Sequence, residues 1–137
     1  MITFNYETNF KLENEKSLEN WIGRVIEQHG CEVGEVNYIF CDDEYQHKLN
    51  MEFLHHDTLT DIISFDNSLG KLINGDIFIS IDRVVENAKD FKVLFLEELT
   101  RVMIHGVLHY TGFKDKTEED QKEMTRQENT ALLELGN

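Results

Sequence analysis

Proline is absent from all 137 residues of this chain, and with it the strongest local marker of where helices and strands stop. Element boundaries must instead be read from glycine, asparagine, capping residues and changes of hydrophobic period. Cysteine is scarce. Cys31 and Cys41 form no CxxC pair and no disulfide framework, so both are expected as free thiols. Long apolar runs are missing as well: the longest are short pieces such as Val93 to Leu96, against the roughly 20 residues of a membrane-spanning helix. The opening segment MITFNYETNFKLENEKSLEN has no basic start followed by an apolar stretch, the pattern of a secretory signal. A soluble, cytoplasmic protein without membrane contact is expected. Basic residues are outnumbered, with 13 Lys and Arg against 27 Asp and Glu for a formal net charge of -14. That balance opposes nonspecific binding to a polyanion, which relies on counterion release by cations. It does not exclude one, because a bound divalent ion and a few local cations reverse the sign of the field inside a single cleft.

What is present is ordinary for a packed protein: 40% hydrophobic and 29% charged residues, in a length that suits one domain spanning 1–137. Ile2 to Tyr6 alternates as a strand does. Ser17 precedes Leu18, Trp21, Ile22, Val25 and Ile26 at helical spacing, closed by Gly30. Val33 to Cys41 reads as a second strand, and Asp42 and Asp43 as caps of a helix running through Leu54. Ile62 to Phe65 and Ile77 to Ile81 are short β-rich runs separated by Asn67, Ser68, Gly70, Asn74 and Gly75, the composition of a loose hairpin loop. From Asp82 the period turns helical, with helices expected to about Phe91, from Lys92 to Tyr110, and from about Thr117 to Leu135, the last opened by a capping-box-like Thr117 and Asp120. The order βαβα, ββ, ααα predicts an α+β fold: a small mixed sheet of about four strands packed with about five helices.

The chemistry concentrates in HGVLHYTGFKD, His105 to Asp115. Residues four apart on a helix share a face about 6 Å apart along the axis, so His105 and His109 can present two imidazoles to one ion. The pair alone is weak, since six histidines placed at random give this spacing about one time in four; its bland alternative is a hydrogen-bonded pair on a core helix. A continuous helix would carry residue 115 about 9 Å past His109. Gly112 stands where a left-handed cap would turn the chain back, bringing Asp115 within reach. Two imidazoles and a carboxylate suit Zn²⁺ with a fourth position open to water, the catalytic pattern of zinc sites. His105, His109 and Asp115 are therefore the expected ligands, acting in catalysis through one bound metal and its water. Zinc peptidases carry glutamate directly after the first histidine as general base; here that residue is Gly106. Glu98, about 10 Å before His105 by helix rise, is too far to replace it and is expected either to support the ligands from behind or to be structural.

HGVLHYTGFKD resembles the HGxLHxxGxxH signature of the YbeY family, and LTDIISFD, Leu59 to Asp66, resembles its TDVLSF segment. Asn50, Gly75, Asp76 and Ile77 match further landmarks, so the resemblance covers most of the chain. It implies a metal-dependent endoribonuclease specific for single-stranded RNA and not DNA. In that family the role is 3′-end maturation of 16S ribosomal RNA and ribosome quality control, in contact with the small subunit and its assembly factors. It also places Thr60, Asp61 and Ser64 in the cleft beside the metal, Asp61 and Ser64 as substrate contacts, although these two equally suit backbone capping at a strand start. The family's third histidine is Asp115 here, its arginine aligns with Leu54, and its proline with Asp66. His55 and His56 lie next to the missing arginine; His56 is a candidate phosphate contact, with solvated surface as the alternative. Two other function classes remain as alternatives: a zinc hydrolase of peptides, against which Gly106 counts, and a noncatalytic ribosome-assembly factor with a structural metal.

Overall fold

Val36, Tyr38 and Phe40 alternate along one strand and are fully buried, as are Ile73, Ile77 and Ile79 on another. Such period-2 burial fixes one sheet face as the core. In the computed structural model, which describes residues 1–135, these residues belong to β2 (Glu32–Cys41) and β4 (Leu72–Ser80). With β1 (Ile2–Tyr6) and β3 (Ile62–Asp66) they make a four-stranded sheet of order β1-β2-β4-β3. β1 and β4 run parallel to β2, and β3 pairs antiparallel with β4, Ser64 lying opposite Ile77. The helices are α1 (Glu15–Gln28), α2 (Asp43–Leu54), α3 (Ile81–Phe91), α4 (Phe95–Tyr110) and α5 (Glu118–Leu135). The fold is α+β, as the order of periodicities implies.

Most boundaries fall within a few residues of the sequence reading, and the exceptions have local causes. α1 begins at Glu15 rather than after Ser17, from an Asn14 cap that makes no side-chain bond. β4 starts at Leu72, five positions before the expected Ile77, because Asn74 and Gly75 lie inside the strand and not in the hairpin loop. Ser80 ends β4 and caps α3 through its hydroxyl. Lys92 closes α3 in the left-handed region instead of opening α4, which begins at Phe95. Asp42 caps α2 as expected, accepting from Tyr45 N–H.

α4 is the element the site depends on, and it packs against the sheet, α3 and α5. Leu99, Met103, Ile104, Val107 and Leu108 are fully buried on it, each such side chain contributing roughly 1.5–3 kcal/mol relative to exposure. At Gly106 the helix lies so close to the sheet that a Cβ would sit 3.1 Å from the Ile62 and Ile77 methyls. The Tyr38 hydroxyl donates to the Met103 carbonyl at 2.9 Å, tying sheet to helix, and Trp21 Nε1 donates to the Ala131 carbonyl at 2.8 Å, tying α1 to α5. No described helix is long and apolar enough to cross a membrane.

Candidate metal centre

The last two turns of α4 carry His105 and His109, and the chain then reverses. Gly112 has φ +115° and its N–H donates to the His109 carbonyl, while Phe113 N–H donates to that of Leu108, both at 3.1 Å. This is a Schellman ending, in which the positive φ suits glycine. On the far side of the loop, Asp120 N–H donates to the Thr117 hydroxyl and Thr117 N–H to the Asp120 carboxylate, a reciprocal capping box that starts α5. Gln121 also donates to the Asp115 carbonyl. Asp115 is thus suspended between two fixed helix ends.

Its carboxylate returns to the imidazoles. His105 Nε2 and His109 Nε2 are 3.1 Å apart, and Asp115 Oδ2 is 3.3 Å from the first and 3.2 Å from the second. Donors about 2.0–2.1 Å from a tetrahedral zinc are separated by roughly 3.3 Å. The three atoms therefore form a nearly equilateral set of the size that ion requires, and they make up the possible metal-binding group among the described residues. Each residue is half-buried, leaving one side of the group open. The donor chemistry suits zinc or another borderline divalent ion.

Behind His105 lies a cavity of about 220 Å³ bounded by Asp61, Glu98, Arg101, His105 and Glu128. Glu128 Oε2 is 2.7 Å from His105 Nδ1, and Glu128 Oε1 accepts from Arg101 at 2.9 Å. Burial disfavours the charged imidazole of His105. The hydrogen bond to Glu128 and the negative charges of Glu128, Asp115 and Asp61 outweigh it, so His105 titrates above its ordinary value. Burial also raises the Asp61 carboxyl, against the His105 charge and a hydrogen bond from Asn87. Glu98, 5% exposed, is raised by burial and then by the charge of Asp61.

The structure thus brings His105, His109 and Asp115 together and puts Asp61 in the wall of the cavity that His105 also lines. Ser64 is exposed on β3 beside the Tyr110 hydroxyl, and the Thr60 hydroxyl is engaged with the Ile62 carbonyl. His56 is exposed just beyond α2, and Leu54 is 41% exposed at its last turn; nothing described joins either to the imidazoles. The acids of the last helical run, Glu118, Glu119, Asp120, Glu123 and Glu128, read from sequence as its solvated face; Glu128 departs from that reading. It is 7% exposed and lies in the buried stripe of α5 with Met124 and Ala131. A charge on an otherwise apolar helical stripe is the signal that marks it.

The model of the family described as endoribonuclease YbeY matches residues 2–136. The chain belongs to the endoribonuclease YbeY family. It is 57% identical over 132 residues to an endoribonuclease YbeY of Flavobacterium johnsoniae, covering 96% of this chain and 95% of that one. It is 58% identical to that of Flavobacterium psychrophilum, with 96% and 94% covered. The solution structure of a Thermotoga maritima protein superposes with a TM-score of 0.70 at 27% identity, covering 98% of this chain and 89% of the other. Family membership thus spans the whole sheet-and-helix arrangement rather than the histidine motif alone.

Proposed function

We propose that this chain is a metal-dependent endoribonuclease of single-stranded RNA, working as one catalytic domain over residues 1–137 with a single zinc ion held by His105, His109 and Asp115. The observation that carries the metal reading is the 3.1–3.3 Å spacing of the three donor atoms. Family membership carries the RNA reading. The proposed biological substrate is ribosomal RNA, in 3′-end maturation of 16S rRNA and ribosome quality control in the cytoplasm, with the small subunit and its assembly factors as partners.

When bound, zinc supplies Lewis acidity, activating water and countering negative charge on phosphate. The chain's own residues hold and orient. His105 and His109 present Nε2 lone pairs only when neutral at that atom, and Asp115 adds one negative charge that partly balances the ion. Asp61 and Ser64 are proposed to line the path of the RNA, and His56 to offer a peripheral cation when protonated. The peptidase alternative is disfavoured by packing: a side chain at position 106 would point into Ile62 and Ile77 of the sheet, so a glutamate there could not serve as the general base.

The test couples elemental analysis to RNA cleavage. Zinc-reconstituted protein is expected to hold about one metal per chain and to cut single-stranded RNA, with cleavage lost on chelation. Absence of metal from both purified and reconstituted protein would end the metal reading. Cleavage of peptide but not RNA would overturn the substrate, and stoichiometric metal without any cleavage would favour a noncatalytic assembly factor.

A further inference from the structure

We propose that Glu128 is a positioning residue for the metal centre: anchored by Arg101, it accepts the Nδ1–H of His105 and fixes the imidazole tautomer whose Nε2 lone pair faces His109 and Asp115. The inference rests on the metal reading above but concerns a residue outside the ligand set.

The carboxylate of Glu128 is divided between two partners. Oε1 receives Arg101 Nη1 at 2.9 Å, and Oε2 lies 2.7 Å from His105 Nδ1. Arg101 is itself fixed by a second bond, from Nη2 to Asn129 Oδ1 at 2.8 Å. Arginine only donates, and an ionised carboxylate only accepts. With Oε1 committed to the guanidinium, the short contact at Oε2 requires a proton on Nδ1. A neutral imidazole carries one N–H, so Nε2 is left with its lone pair, 3.1 Å from His109 Nε2 and 3.3 Å from Asp115 Oδ2. Without Glu128 the Nε2–H tautomer gains a ready acceptor in Asp115, and that proton occupies the lone pair a metal needs. Metal-bound histidines commonly use such an outer carboxylate, and its loss typically weakens metal affinity 10–100-fold.

A purely structural alternative exists, since Arg101 and Glu128 also clip α4 to α5. The two roles part at Glu128→Gln. Arg101 must take the amide oxygen, which turns the amide NH₂ toward His105 Nδ1. That donor favours the lone pair on Nδ1 and moves the proton to Nε2, with the ion-pair clip weakened but its shape kept. Adding Arg101→Met frees the amide to rotate and is expected to restore part of the original tautomer.

The experiment records long-range proton–nitrogen NMR spectra of ¹⁵N-labelled histidine in the full-length, metal-free protein, at a pH above the His105 titration, together with zinc affinity by chelator competition. The expected result is an Nδ1–H tautomer in the parent. Glu128→Gln should shift it toward Nε2–H and bind zinc about 10–100-fold more weakly. An Nε2–H tautomer in the parent overturns the proposal whether or not any variant folds. So does Glu128→Gln with an unchanged tautomer and zinc affinity within about twofold of a zinc-binding parent, even if its stability falls, because Glu128 is then only a clip. A parent that binds no zinc defeats the metal reading, and this role with it.

Discussion

Replacing Gly112 with alanine tests whether the turn that returns Asp115 to the imidazoles is held by backbone conformation. A Cβ at position 112 would meet no atom within 4 Å, so crowding plays no part. The cost comes from φ +115°, outside the range an L side chain favours; left-handed conformations cost such residues roughly 1–2 kcal/mol. If alanine keeps the turn, the metal-free protein should lose about that amount, or some 3–7 °C in Tm for a chain of this size. If alanine opens the turn, the Gly112 to His109 and Phe113 to Leu108 hydrogen bonds are lost, at roughly 0.5–1.5 kcal/mol each, and Asp115 leaves the group. Urea unfolding of metal-free protein measures the first effect and zinc competition the second. Lys114→Ala, at an exposed neighbour, should change neither. Parent-like stability and zinc affinity in Gly112→Ala would refute the assignment of this turn to glycine.

Asp115→His should retain zinc, since it restores the family ligand, whereas Asp115→Ala should lose much of it; equal affinities in Asp115→Ala and the parent would remove Asp115 from the ligand set. His105 titrates above its ordinary value, so in metal-free protein its contribution to stability is complete below about pH 6.5 and is lost as pH rises through the raised value. Between about pH 6 and about pH 9, metal-free parent should therefore lose more stability than His105→Gln in urea titrations; equal losses would contradict the assigned direction. Zinc competes with the same proton, so its affinity should fall on acidification. Leu54→Arg should raise RNA cleavage, because a cation placed near developing phosphate charge can contribute substantially; an unchanged rate in folded, metal-loaded protein would make the position irrelevant.

The end of α4 is readable from sequence because its signals are local: two histidines one turn apart, then glycine where the helix must stop. Its start is not, because Lys92 adopts φ 58° without the glycine that usually marks such a cap. The first half of β4 is hidden for a tertiary reason. Asn74 and Gly75 have turn composition, yet a Cβ at Gly75 would fall 2.5 Å from the Tyr110 hydroxyl, so the glycine serves a close approach between strand and helix. Glu128 is obscured by its surroundings: α5 carries many acids, and only its place in the stripe with Met124 and Ala131 separates it from the solvated ones. The cavity joining Asp61 to Glu98 and His105 unites the residue just before β3 with two residues of α4, which no periodicity encodes.

The most direct test of the metal-dependent nuclease is cleavage of single-stranded RNA by His105→Ala and His109→Ala, each first shown to be folded by its unfolding transition. The buried stripe of α4 packs independently of the two imidazoles, so fold and activity should separate: the zinc-loaded parent cuts the RNA and neither variant does. Cleavage at the parent's rate by both folded variants would contradict the account and place the activity outside this site.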